Sequence, residues 1–445
     1  MRQYKGPMTQ TSHTLTSDHA PDLHTDSLNA FRSVRARTRA LANGLSDADA
    51  TAQSMDDASP LKWHLAHTSW FFEEFILCGH LGQTERFDPR YAYLFNSYYN
   101  AVGERHDRPN RGLLTRPSLD DILGYRTDVD DRMSRAIPRL DERGLSLLEL
   151  GLAHEEQHQE LALTDILHLF AQSPLRPAFS PGPSSLDTGA ALSLAWISFD
   201  GGMATIGHDG DGFAFDCEGP SHDVVLQPFA LANRAVTNAE WIAFMEDGGY
   251  SDAAYWLSDG WDWAQAHEIT SPLYWNQVDR VWHSMTLDGH LPLDPAAPVT
   301  HISFFEADAF ASWAATQWSG ARLPTEFEWE HAARSSTASA DTPPAPDILR
   351  PHRQVPSQSR GETPGLEGLF SDVWEWTSSA FLPYPRFKPG AGAIGEYNGK
   401  FMNGQRVLRG ASCVTSPGHS RVSYRNFFYP EKRWQFTGLR LARDV

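Results

Sequence analysis

Cysteine is scarce. Three residues in 445 are too few, and odd in number, for a disulfide framework, and they fit a reducing compartment. Positive charge is in deficit too. Lys and Arg number 37 against 56 Asp and Glu, giving a net charge of -19, which argues against nucleic acid or anionic membrane as a main partner, because both demand basic surface. No run approaches the ~18 consecutive apolar residues of a membrane helix. The amino terminus, MRQYKGPMTQTSHTLTSDHAPD, lacks the apolar core of a signal peptide. The expectation is a soluble, cytoplasmic protein with a disordered leader over residues 1–24. What is present is an ordinary globular share of apolar residues, 41%, sufficient for a sizeable core. There are also 19 histidines. That excess of imidazole over thiol directs any metal site toward nitrogen ligands.

Texture divides the chain. Residues 25–172 read as helical, with segments over 27–45, from Pro60 with Ser59 as its cap, from near Ser118, and over 145–171, on the strength of caps, first-turn residues and apolar spacing. Four such helices predict an antiparallel bundle with one long connection, over 82–117. That connection carries FNSYYNAVGERHDRPNRGLLTRP and is too rich in Tyr and Arg for a tether. A Pro/Ser/Gly-rich stretch over 173–190 reads as a linker. Beyond it, residues 191–445 combine short β-like runs with helical stretches over 238–247 and 304–319, an α+β domain with much loop. A low-complexity segment over 335–365 reads as a surface insertion.

The sharpest local signal is HEEQHQE, residues 154–160. Two histidines at i and i+4 share a helical face and can chelate one ion. With 19 histidines in 445 positions, about one such pair arises by accident, so direction matters. The same stripe carries Leu147, Leu150 or Gly151, and Leu161, so His154 and His158 point toward the core. Glu160 lies roughly 200° around the helix from His158 and is a poor ligand for the same ion. The competing reading is a pair of hydrogen-bonded core histidines. A third ligand has to come from elsewhere. The second helix offers both His64 and His67, and periodicity does not choose between them. Three imidazoles without a carboxylate suit Zn(II), Fe(II) or Cu.

On these residues the chain resembles the iron-dependent sulfoxide synthases of ergothioneine biosynthesis, the EgtB type. The elements Trp63-His64-Leu65-Ala66-His67 and His154-Glu155-Glu156-Gln157-His158 are similar to the metal motifs of that family's DinB-like helical domain, and the resemblance selects His67 as the third ligand. Residues 191–445 resemble the formylglycine-generating-enzyme fold, a C-type-lectin-like α+β domain. The matching elements are Gly201-Gly202, Pro220-Ser221-His222, Ala235-Val236-Thr237-Asn238, Arg322-Leu323-Pro324-Thr325-Glu326, Asp372-Val373-Trp374-Glu375-Trp376 and Arg409-Gly410-Ala411-Ser412. The resemblance implies a non-haem Fe(II) cofactor at His67, His154 and His158. It implies an enzyme that joins a thiol to C2 of hercynine (Nα-trimethylhistidine) with O2, giving a sulfoxide.

Further assignments rest on the same resemblance. Asn426, Phe427 and Phe428 fall where the family holds the trimethylammonium group, which prefers aromatic faces; as a bare pattern they would be a hydrophobic strand edge. Gln157 matches a residue that hydrogen-bonds the imidazole. Members that use γ-glutamylcysteine carry an acid where this chain has Phe428, and the Asn96-Ser97-Tyr98-Tyr99 loop is typical of members that accept free cysteine, so cysteine is the expected thiol. Arg108 and Arg111 are candidates for a substrate carboxylate. Tyr98 or Tyr99 would be the catalytic phenol, with Tyr384 as a rival. Cys413 has no neighbouring cysteine, which disfavours the copper chemistry of formylglycine-generating enzymes and leaves a buried small residue. The alternatives are a synthase using γ-glutamylcysteine or a selenium donor, a metal-dependent DinB-type thiol transferase, and a lectin-like binding module with structural histidines.

Overall fold

The computed structural model describes residues 23–100, 102–181, 192–210, 212–336, 349–353, 365–390, 395 and 398–445. The leader ahead of residue 23 and most of the 335–365 insertion lie outside the described residues.

The helical half holds α1 (Leu23–Ala40), α2 (Asp47–Thr51), α3 (Leu61–Phe71), α4 (Tyr91–Leu94), α5 (Leu119–Ala136) and α6 (Glu142–Ala171). α3 runs on as a π-helical segment, Phe72–His80. The four long helices form the expected bundle, with α1 against α6 and α3 against both α5 and α6. Capping sets the starts of α5 and α6. Ser118 and Asp121 form a reciprocal capping box, and the Asp141 side chain accepts from the Gly144 N–H, each satisfying otherwise orphaned donors.

Three boundaries differ from the sequence reading. α1 starts at Leu23, two residues inside the expected leader, and ends at Ala40, well before residue 45. Its chain turns off instead through Gly44 at φ 82°. Ser59 does not cap α3: Pro60 holds that position without a side-chain bond. The Ser59 N–H donates to Asp165 instead, and its hydroxyl accepts from Arg111, so tertiary contacts override the local cap. The described start of the linker is anchored to the second half. The Phe179 and Ser180 N–H groups both donate to the Leu287 carbonyl.

The second half contains β1 (Trp196–Phe199), β2 (Gly202–Ile206), β3 (His222–Leu226), β4 (Phe229–Ala232), α7 (Asn238–Glu246), α8 (Ser258–Ala266), β5 (Trp275–Val278), β6 (Val281–Thr286), β7 (Gly289–Pro292), α9 (Phe304–Gln317), β8 (Ala321–Arg322), α10 (Glu326–Ser335), β9 (Trp374–Ala380), β10 (Arg406–Gly410), β11 (Asn426–Phe428), β12 (Thr437–Gly438) and β13 (Ala442–Asp444). Four small sheets result, ordered β1-β4-β13-β8, β11-β10-β9-β12, β2-β3 and β5-β6-β7. Sheets this short cannot close a core alone, and buried ion clusters join them. Arg440 binds Glu375, which also accepts from Trp329. Glu326 holds both Arg409 and Arg425. Gly410 sits at φ 97°, and a Cβ there would meet the Leu369 carbonyl oxygen at 2.3 Å, so only glycine fits. β11 is the edge strand of its sheet, paired to β10 with Phe427 opposite Val407.

α6 is enclosed by both halves. A Cβ on Gly151 would meet the Phe72 ring at 2.5 Å, so glycine permits close packing on the π-helical segment. On another side Glu160 accepts from Trp374, Ser412 and Thr415, and Gln159 accepts from Ser416. α6 is thereby wedged against the second domain.

Candidate metal centre

Three buried imidazoles converge from two helices. His67 comes from α3, and His154 and His158, one turn apart, from α6. Their ligand nitrogens all lie within 4.8 Å of one another. Hydrogen bonding fixes how His67 presents itself. Its Nδ1 is 2.6 Å from the Phe95 carbonyl. A carbonyl only accepts, so Nδ1 carries the proton and Nε2 is the bare nitrogen. That Nε2 lies 3.1 Å from Nε2 of His154. The His67 ring is stacked between Trp63 at 4.5 Å and Trp70 at 5.4 Å.

Burial keeps the cluster uncharged. It drives the His67 and His158 pKa values well below the ordinary 6.5, with His154 adding to the effect in each case. It takes His154 down to about 3 against the opposing field of Glu155. Neutral imidazole is the form that ligates. No carboxylate belongs to the cluster. Glu155 is fully buried on another face, bound by Arg35 and Arg126. Burial opposes its ionisation, yet the two guanidinium groups outweigh that and hold its pKa at about 2.

A cavity of ≈ 290 Å³ opens onto His154 and His158 between the two domains. Tyr98, Arg108, Arg111 and Gln157 line it from the helical side, and Phe401, Phe427, Phe428 and Trp434 from the other. An adjoining cavity of ≈ 180 Å³ shares Gln157, Phe427 and Phe428 and adds Asn426 and Tyr424. The Gln157 amide donates to the Tyr424 hydroxyl at 2.6 Å. Phe427 is held by a 4.0 Å stack on Phe381, and the Asn426 side-chain oxygen accepts from the Phe427 N–H. Arg111 is 2% exposed and lies 3.3 Å over the Trp63 ring. Its guanidinium donates to Ser59 but meets no carboxylate among the described residues. Burial, with Arg108 nearby, therefore pulls its pKa well down.

The structure thus brings nearly all the expected residues together. His67, His154 and His158 form the cluster; Tyr98, Arg108, Arg111, Gln157, Phe427 and Phe428 line the cavity; and Asn426 lines its neighbour. Tyr99 is fully buried and packs among Trp70, Phe75 and Tyr98 instead of lining either cavity. Tyr384 is not at the centre. Its hydroxyl donates to Glu326 and accepts from Arg409, so it belongs to the ion cluster that joins the second domain. Cys413 is buried, 4% exposed, and the cysteines form no disulfide. Among the residues that escaped the sequence reading are His64 as a partner of His158, Asp165, Phe401, Tyr424 and Trp434. A signal existed for Asp165, which lies seven residues after His158 and so within roughly 20° of it on the helix. None existed for Trp434.

Comparison with known proteins follows the same division. Residues 30–171 match the family model of the DinB superfamily, and residues 191–445 match that of the sulfatase-modifying factor enzyme 1-like domain. The hercynine oxygenase of Mycobacterium tuberculosis is 34% identical over 93% of this chain and 97% of its own length. That of Mycolicibacterium smegmatis is 33% identical over 90% of this chain and 94% of its own. The ergothioneine biosynthesis protein 1 of Schizosaccharomyces pombe is 25% identical over 52% of this chain and 28% of its own length.

Proposed function

The chain belongs to the hercynine oxygenase family, and from that premise we propose that it is an Fe(II)-dependent sulfoxide synthase coupling free cysteine to C2 of hercynine with O2, in the biosynthesis of ergothioneine. The observation that carries this reading is a cluster of three neutral, buried imidazoles, two of which, His154 and His158, open onto a cavity whose second-domain wall is aromatic. The donor set is compatible with the metal: three nitrogen ligands kept uncharged by burial suit Fe(II), as they suit Zn(II) or Cu, and the family supplies the choice of iron. Bound there, iron would supply a Lewis-acidic and redox-active centre that gathers thiolate, imidazole and O2.

The chain's own residues supply the rest. Phe427, Phe428 and Trp434 offer ring faces to a quaternary ammonium, which has no N–H to donate. Gln157, adjacent to His158 and lining both cavities, supports orientation of the substrate imidazole. Arg111, a buried guanidinium without a carboxylate partner, supports recognition of the amino-acid carboxylate, with Arg108 beside it. Tyr98 lines the cavity and Tyr99 does not, which favours Tyr98 as the phenol that gives a proton or electron. The balance is simple. Loss of the S–H and C2–H hydrogens and oxidation of sulfur deliver the four electrons that O2 accepts, with one oxygen in the sulfoxide and one in water. The aromatic Phe428, where an acid would meet a γ-glutamyl amine, favours cysteine as donor. Among the described residues no helix is long and apolar enough to cross a membrane.

The test is aerobic incubation with Fe(II), hercynine and either cysteine or γ-glutamylcysteine, with products read by mass spectrometry. An O2-dependent sulfoxide with cysteine is the expected result. Absence of adduct with either thiol overturns the reading and returns a DinB-type thiol transferase to the front. Adduct chiefly with γ-glutamylcysteine overturns the donor alone, and a selenium donor is distinguished by the same mass measurement.

A further inference from the structure

We infer that His64 and Asp165 form a positioning dyad for His158, fixing which nitrogen of that ligand faces the metal. The inference rests on the metal reading above and adds residues that belong to neither metal element's ligand set.

The chain of contacts is short. Nε2 of His64 lies 3.1 Å from Oδ2 of Asp165, and Nδ1 of His64 lies 2.8 Å from Nδ1 of His158. Asp165 is committed as an acceptor. Its Oδ2 also receives the Ser59 N–H at 2.8 Å, and its Oδ1 receives the Trp434 indole N–H at 3.1 Å. All of these groups are buried, with His64 3% and Asp165 7% exposed.

Donor and acceptor bookkeeping then propagates along the chain. A carboxylate can only accept, so His64 carries a proton on Nε2, and in the neutral imidazole its Nδ1 is then bare. A bare Nδ1 requires a donor opposite, so the His158 proton sits on its own Nδ1. Nε2 of His158 is left as the lone pair. The Phe95 carbonyl does the same for His67. The two ligands are thus oriented by different devices, one backbone carbonyl and one histidine–carboxylate pair. Orientation by such outer groups raises ligand affinity and holds the ring in place. Asp165 has a second consequence. Because it also binds Trp434, which lines the cavity from the second domain, docking of that domain and the tautomer of a metal ligand share one carboxylate.

The test uses the full chain stripped of metal and titrated anaerobically with Co(II) or Fe(II) against a competing chelator, with the Co(II) visible bands as a second readout. His64→Phe removes the acceptor from Nδ1 of His158. Asp165→Asn keeps the shape, but an amide cannot accept from all three donors. Each is expected to weaken Co(II) binding by about 10- to 100-fold and to alter the bands, while His64→Gln, whose amide oxygen can accept from His158, restores most of the affinity. Thermal unfolding of the metal-free variants separates this from a fold defect, and Asp165→Asn carries the test if His64→Phe does not fold. Affinity and bands unchanged in His64→Phe and Asp165→Asn overturn the dyad, as does His64→Gln binding no better than His64→Phe. If the unaltered chain binds neither metal, the metal reading falls and the dyad with it.

Discussion

Glu155 follows the first histidine of HEEQH, where a metal motif on a helix often carries its general base. Here it performs a different task. It is fully buried and bridges Arg35 of α1 at 2.8 Å and Arg126 of α5 at 2.7 Å. Arg35 keeps a second carboxylate, Asp130, but Arg126 pairs with no other among the described residues; its remaining partners there are the Leu65 and Arg35 carbonyls and the Thr68 hydroxyl. Glu155→Gln therefore leaves a buried guanidinium without a counter-charge. Breaking a buried pair from one side costs about 3–5 kcal/mol. The pH linkage gives a similar figure, since a carboxyl lowered from 4.5 to about 2 stores roughly 3 kcal/mol.

The assay is urea unfolding of the metal-free chain followed by helical circular dichroism. At ~2 kcal/mol per molar urea, the midpoint of the helical domain should fall by about 2 M at pH 7. The sign of the pH effect follows from the lowered pKa. The stabilisation is full above pH 4.5 and is lost as pH falls through about 2, so the gap between variant and parent closes over that interval. Metal affinity of the folded variant should change little, because Glu155 faces away from the three imidazoles. A variant as stable as the parent, or a stable one that no longer binds metal, would refute the reasoning.

Three other outcomes are expected. Arg111→Met should raise the KM for the thiol by about tenfold or more, the loss of a charge-assisted bond, with unfolding unchanged or delayed because a desolvated, unpaired cation is removed; an unaltered KM removes Arg111 from substrate binding. Tyr98→Phe should lower sulfoxide formation by about a hundredfold, as for loss of a proton donor, and Tyr99→Phe far less; the reverse order in product assays would transfer the role to Tyr99. In the metal-free protein His154 has its pKa lowered from 6.5 to about 3, so its contribution to stability is full above pH 6.5 and is lost as pH falls toward 3. The melting temperature of the metal-free chain should decline over that range, and a flat profile would mean that the imidazole is not buried in solution.

The two-domain architecture was legible because each half carries a strong texture: caps and apolar spacing in the first, glycine, tryptophan and short strands in the second. The candidate metal cluster was legible in part. His154 and His158 lie on a core-facing stripe that periodicity identifies, whereas His64 and His67 both lie on a helix whose every residue is buried. A helix buried all round offers no exposed face to compare, so there only the resemblance favoured one candidate ligand over the other. The cap at Ser59 failed for a related reason. Its donor and acceptor were claimed by Asp165 and Arg111, residues more than fifty positions away that no local rule can see.

α6 shows where such reading stops. Its polar residues look like a solvated face in sequence, yet they answer to three different neighbours. Glu155 meets α1 and α5; Glu156 faces His419; and Gln157, Gln159 and Glu160 bind Tyr424, Ser416, Trp374, Ser412 and Thr415 of the second domain. Helical spacing can place these residues on stripes distinct from the histidines, which is what it did for Glu160. It cannot say that a stripe is covered, because a buried carboxylate with partners and an exposed one leave the same letter in the same register. Covering is decided by Trp374 of β9 and the segment from Ser412 to Tyr424, more than 200 residues downstream, which pack over the helix. The same closure supplies Phe427, Phe428 and Trp434 to the cavity. A cavity assembled this way exists only once both domains have docked, so substitutions on the polar face of α6, such as Glu160→Ala, bear on the aromatic wall as well.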